Sequence, residues 1–274
     1  RIHEDMFHIL TTLTVSASMA PEDQRHLHNF WATFVFPFFG VEAPVAPALP
    51  CPWLLAEGPF RSVVEASVQE RTPTRVVYGT TAVYLFFRFY QLLYERLWKA
   101  QCIAHRARNL KSSGAGASSA AASKSPYHSF VWSLQEYIAG RVTEDEYEDR
   151  LRDWFGPQAT FLCTMKELFL DMTKQVLACV HRPLCLKVLQ LFCFQYRQSV
   201  QWREEVYHQQ GCHLLHSASE KGYYKITFLP CPRPRASPDP AAAPCAQPDP
   251  RSGNRSTSGL QPGVGVLEIC GRPN

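Results

Sequence analysis

The chain has 274 residues, 46% of them apolar, and a formal charge of +4. That length allows one or two domains with a sizeable core, and so small a charge makes no case for nucleic acid by itself. The longest apolar run, AVYLFF at 82–87, ends at Arg88 and falls far short of the ~20 apolar residues a membrane span needs.

The ten cysteines include Cys163, Cys179 and Cys193, which sit inside apolar helical patterns. A disulfide scaffold would be shorter and denser in cysteine. A soluble, intracellular, reduced protein is therefore expected. The sequence opens on Arg1 rather than methionine, which suggests a fragment of a longer protein, and no secretory signal is visible in it.

The dominant period is helical. A short helix is expected over residues 3–14. A longer one follows over 21–39, where Leu27, Phe30, Trp31, Phe34, Val35 and Phe38 form one stripe. Pro21 suits its first turn, Pro37 must kink or end it, and Gly40 closes it. The Pro-rich stretch 42–59 reads as a loop. Residues 80–108 carry the strongest signal, with Val83, Phe86, Phe87, Tyr90, Leu93, Tyr94 and Leu97 in one stripe widened by Leu85, Phe89 and Leu92. The far end of this helix is basic, through Arg96, Lys99, Arg106, Arg108 and Lys111. Cations suit the negative end of a helix dipole, and they could also meet phosphates.

Residues 111–125, KSSGAGASSAAASKS, read as a flexible linker. Ser125 is then placed to cap a helix that begins at Pro126 and carries Tyr127, Phe130, Val131, Leu134 and Ile138 on one face. Gly140 ends it in the left-handed conformation. Thr143 and Glu146 form a T-x-x-E capping box for the next helix, whose apolar residues are Tyr147, Leu151, Trp154 and Phe155. Six carboxylates crowd residues 144–153: Glu144, Asp145, Glu146, Glu148, Asp149 and Asp153. They invite a reading as an acid/base pair. Burying each large apolar residue is worth about 1.5–3 kcal/mol, against about 0.3–1 kcal/mol for a carboxylate in the helix dipole. Packing sets the geometry, and the carboxylates face water. The segment is a helical hairpin with a wet side.

Thr164 and Glu167 repeat the capping box before Met165, Leu168, Phe169, Met172 and Val176. Pro183 starts another helix, with Leu186, Leu189, Phe192 and Tyr196 on a face. YYKITFL at 223–229 alternates like a strand, and Val264 to Ile269 can pair with it across residues 230–263, a Pro- and Ala-rich insert expected to be disordered. The fold class is mainly α: a multi-helix bundle with a small C-terminal β-hairpin and disordered linkers. Residues 1–110 form a helical region and 111–125 a linker. Residues 126–229 form a helical module ending in a strand, 230–263 an insert, and 264–270 the second strand.

No linear motif for chemistry stands out. Cys179, His181 and Cys185, with Cys193 a further candidate ligand, have a C-x-H-x3-C spacing outside the usual zinc signatures, and buried thiols explain them better. Cys212, His213 and His216 are a looser cluster still. There is no nucleophile elbow and no phosphate-cradling glycine loop. Catalytic, cofactor and metal sites are accordingly expected to be none. The short helices at 127–139 and 144–155 bury little alone, so some of their faces should meet another domain or protein, by helix-in-groove contact. Candidate partner-binding residues are Tyr127, Phe130, Leu134, Tyr147, Leu151, Trp154 and Phe155.

Five pieces in order resemble one family: HLHNFWATFVFPFFGV (26–41), VVYGTTAVYLFFRFYQLLYERL (76–97), YHSFVWSLQEYIAGRVTEDEYEDRLRDWFG (127–156), FLCTMKELFLDMTKQV with LCLKVLQLF (161–192), and EEVYHQQGCHLLHSASEKGYYKITFL (204–229). The chain is similar to the C-terminal region of the Sin-three paired-amphipathic-helix transcriptional corepressors. Leu162–Cys163 stands where relatives usually have an aromatic before the Thr-Met pair, and the insert at 230–263 splits the family's terminal hairpin. The resemblance implies a non-enzymatic nuclear scaffold whose partners are class I histone deacetylase complex subunits and other corepressor subunits. Two rival readings remain: direct DNA contact through the basic helix end, and a zinc-dependent hydrolase using Cys179, His181 and Cys185.

Overall fold

The computed structural model describes residues 1–39, 41, 75–112, 125–197, 204–217, 223–228 and 267–270. Gly40, the loop at 42–59, the insert at 230–263 and all but the ends of the linker at 111–125 lie outside them. In chain order the helices are α1 (Ile2–Ser16), α2 (Pro21–Phe30), α3 (Phe36–Phe39), α4 (Thr81–Ser112), α5 (Pro126–Ile138), α6 (Glu144–Phe155), α7 (Met165–His181), α8 (Pro183–Arg197) and α9 (Glu204–Ser217). The strands are β1 (Arg75–Gly79), β2 (Tyr224–Phe228) and β3 (Leu267–Cys270). The mainly helical fold with a β2–β3 hairpin is the one expected from the sequence. Contacts divide the chain into two compact units, residues 1–57 with 82–186 and residues 58–81 with 187–274.

The first unit is built on aromatic packing. Phe30, Trp31, Phe34, Phe36 and Phe38 are buried together with Phe86, Phe87 and Tyr90 of α4. Phe30 meets Phe86 edge to face at 5.3 Å and Phe39 stacks on Tyr90 at 4.5 Å. Such pairs add about 0.5–1.5 kcal/mol beyond area burial. Pro37 has the consequence its chemistry requires. It has no backbone N–H to donate to the helical ladder. The chain widens into a π-helical turn over Trp31–Val35, where the Phe36 N–H reaches the Trp31 carbonyl, and α3 carries on through Phe39. The helix is reshaped rather than ended.

α1 packs on α5 and α7, and α2 on α7. Pro21 and Pro126 both occupy the first turns of their helices, although neither Ala20 nor Ser125 supplies a side-chain cap. Thr143 and Glu146 make both bonds of the expected capping box, at 3.3 and 3.2 Å. The second expected box does not form. Thr164 has no side-chain bond to the α7 amides, because its hydroxyl accepts a bond from the Arg96 guanidinium at 2.7 Å instead.

In the second unit β1, β2 and β3 form an antiparallel sheet in that order, with Val77 opposite Ile226 and Ile226 opposite Ile269. Strand β1 and helix α9 were not foreseen. Residues 76–79 read as the lead-in to the long helix, and α9 has a broken apolar stripe with Gly211 in its middle. Gly211 is there for close approach. A Cβ on it would lie 3.3 Å from the Tyr78 ring, so the helix can lie directly on β1. Edge strands need cover, and α9 supplies it: the Tyr78 N–H donates to the Tyr207 hydroxyl at 3.1 Å, and His208 Nδ1 hydrogen-bonds the Tyr78 hydroxyl at 2.8 Å.

His3 of α1 stacks against Phe39, lies tilted at 4.9 Å from the Tyr94 ring and hydrogen-bonds the Tyr90 hydroxyl. Burial lowers its pKa from 6.5 to about 4. Between those values the unfolded chain binds a proton that the folded chain refuses. Stability from this site is therefore full above pH 6.5 and is lost as pH falls toward about 4. Urea unfolding at a series of pH values should show wild type losing stability relative to His3→Gln across that window, and parallel curves would refute the assignment.

Candidate functional site

The α5–α6 hairpin is the part of the chain where packing and exposure are most sharply separated. Six of its seven candidate contact residues go inward. Tyr127, Phe130, Leu134, Tyr147, Leu151 and Phe155 are all buried in the first unit's own core. Phe155 meets Phe130 edge to face at 5.7 Å, and Tyr147 stacks on Tyr137 at 4.8 Å. The hydroxyls of Tyr127 and Tyr147 are satisfied by Asp5 at 2.8 Å and by the Leu162 carbonyl at 3.1 Å. Burial pushes both phenol pKa values up, so both rings are neutral hydrogen-bond donors. Only Trp154 is half-buried, at the edge of the hairpin.

The residue that sequence reasoning passed over is Trp132. It lies on α5 opposite the Phe130–Leu134 stripe and is 57% exposed. The signal for it was present, since a tryptophan out of phase with its helix's apolar face has no core to enter. Trp132 and Trp154, with His128 and Ser129, line an open cleft of about 520 Å³. The hairpin beneath is rigidly held. Gly140 takes a positive φ of 72° in the turn, as expected, and Gly156 ends α6 at φ 70°, ψ −162°.

The carboxylates of α6 fall where the dipole favours them and point to solvent. Glu144, Asp145 and Glu146 occupy its first turn. Arg152 pairs with Glu148 at 2.8 Å and Asp149 at 2.7 Å, and Arg150 reaches Ser133 at 3.4 Å.

Of the other sequence candidates, Cys179 and Cys185 are side by side with their thiols hydrogen-bonded, and the rest lie apart from them. His181 turns to Asp23 at 2.8 Å, while Cys179 and Cys185 are buried. Cys212 sits 3.7 Å from His208 and 3.5 Å from the Tyr223 hydroxyl, with His213 exposed. Among the described residues no group of three His, Cys, Asp or Glu could hold a metal ion. No single described helix is long and apolar enough to cross a membrane. At the basic end of α4, Arg96 donates to Thr164 and Lys99 lies 4.3 Å above the Phe161 ring; Arg106 is on the surface. The side chains of Arg108 and Lys111 are outside the described residues.

Comparison with known proteins places this geometry. The family model for the C-terminal domain of Sin3a protein matches residues 77–235, more than half of the chain. The chain belongs to the Sin3 family. Its hairpin, α4 beyond β1's lead, and α7 through β2 all lie inside the matched span, whereas the segment 26–41 lies before it. Two relatives from Arabidopsis thaliana are 30% identical: paired amphipathic helix protein Sin3-like 6 over 57% of this chain, and Sin3-like 1 over 63%. A third, Sin3-like 2 from the same organism, is 25% identical over 63%. The matched stretch spans only 12% of the length of each of the first two.

Burial predicts opposite consequences for two neighbouring substitutions. Leu151→Ala removes a fully buried side chain and should cost about 2–5 kcal/mol, whereas Trp132→Ala should leave stability within about 0.5 kcal/mol. Chemical denaturation of the two variants checks this, and an equal loss in both would show that Trp132 belongs to the core.

Proposed function

We propose that this domain is a non-enzymatic assembly module of a Sin3-type histone deacetylase corepressor complex, acting in the nucleus in transcriptional repression. Family membership supports the setting, and the observation that carries the role is Trp132, exposed beside Trp154 on a hairpin whose other aromatics are buried. Tryptophan is the side chain most enriched at interface hot spots. Covering a large apolar side chain is worth about 1.5–3 kcal/mol, and here the anchor is held by a core that need not rearrange. The six buried hairpin residues act through this surface by supporting it. Its partners in this reading are deacetylase-complex subunits and other corepressor subunits.

Affinity purification of the tagged chain from nuclear extract, with mass spectrometry and a deacetylase assay of the eluate, tests the role. Wild type should retain corepressor subunits and activity, and Trp132→Ala with Trp154→Ala should lose both while keeping its helical circular dichroism. Equal recovery by that variant would remove the docking role from this surface, and an eluate without corepressor subunits would remove the assembly role itself.

A further inference from the structure

The charges beside the tryptophan cleft say what kind of partner it fits. The hairpin, residues 126–156, holds seven carboxylates against three arginines, in a chain whose formal charge is +4. Two of those arginines are bound within it, Arg141 to Glu136 at 2.7 Å and Arg152 to Glu148 and Asp149. The third, Arg150, is turned to Ser133. Asp145, Asp149 and Asp153 recur every four residues and are all exposed. That spacing lines them up on one side of α6, about 12 Å from end to end at 1.5 Å per residue. Asp145 and Asp153 have no ion pair among the described residues. Asp153 precedes Trp154 in sequence, so the last carboxylate of the row is one residue from the cleft's Trp154 and about 100° round the helix from it. Two antiparallel helix ends meet there and their dipoles oppose, which leaves the side chains to set the sign. Near the cleft's far end, Arg1 is already on His128 and over the Tyr127 ring.

An aromatic cleft on a hairpin with an excess of carboxylates is complementary to a cation. Guanidinium and ammonium groups are drawn to the faces of indoles, arginine more often than lysine. We propose that the Trp132–Trp154 cleft docks an arginine- or lysine-bearing peptide segment of a partner subunit, one cation on the indoles and its basic neighbours along Asp145, Asp149 and Asp153. This rests on the assembly role above and names the chemistry of the partner.

The test uses the full chain and three fluorescein-labelled peptides of equal length: one rich in arginine and lysine, one with those positions changed to glutamate, and one rich in proline. Binding is read by anisotropy. The basic peptide should bind, weaken about tenfold with Trp132→Ala, and weaken again with the Asp145→Asn, Asp149→Asn, Asp153→Asn variant. The aspartate variant should also flatten the fall of affinity with salt, since its ridge charges are those being screened. The proposal is overturned if the basic peptide binds both variants as it binds wild type, or if the acidic or proline-rich peptide is the one that depends on Trp132. It is also overturned if no peptide binds. Should the tryptophan variant still lose corepressor subunits in that last case, docking at this surface stands and only the basic character of the partner is wrong.

Discussion

A phenol buried without a hydrogen-bond partner costs about 1–3 kcal/mol, and Tyr147 must therefore find an acceptor inside the core. It finds the Leu162 carbonyl, at the end of the 3-10 turn Gly156–Leu162 that leads into α7. The same ring stacks on Tyr137 of α5. One side chain thus ties both arms of the hairpin to the segment that follows it. With α5 and α6 fixed in this way, Phe130, Leu134, Leu151 and Phe155 turn inward together. Trp132, out of phase with them, is left outside.

The consequence is a division of labour on two short helices. Their inner faces contribute to a core that also receives Met165, Phe169, Met172 and Val176 of α7. Their outer faces carry a tryptophan pair and a row of aspartates. A rigid surface loses little conformational entropy on binding, and preorganisation is one of the main sources of affinity in protein interfaces. The acidic helix that first suggests catalysis is better explained as a solvated helix flank, with its first-turn carboxylates stabilised by the helix dipole.

Much of the fold was legible in the sequence because its signals are local. Prolines at 21 and 126, Gly140 and the Thr143–Glu146 box each act through their immediate neighbours, and each appears where expected. What could not be read depends on distant partners. Thr164 abandons its own helix for Arg96, which is 68 residues away in the chain. Strand β1 exists because β2 pairs with it and α9 covers it, and Gly211 shows its purpose only when Tyr78 is beside it. At the candidate site the seven expected contact residues were read from the apolar period, and six of them are buried while Trp132 is exposed. Apolar periodicity finds the core face of a helix, and an exposed tryptophan such as Trp132 lies off that period.

The most direct measurement is hydroxyl-radical footprinting of the chain, free and assembled with proteins captured from nuclear extract, with oxidation quantified at each tryptophan. If the hairpin surface docks a partner, Trp132 and Trp154 become protected on assembly, while buried Trp31 is unreactive in both states. Trp132 oxidised as fast in the assembled state as in the free chain would contradict the account.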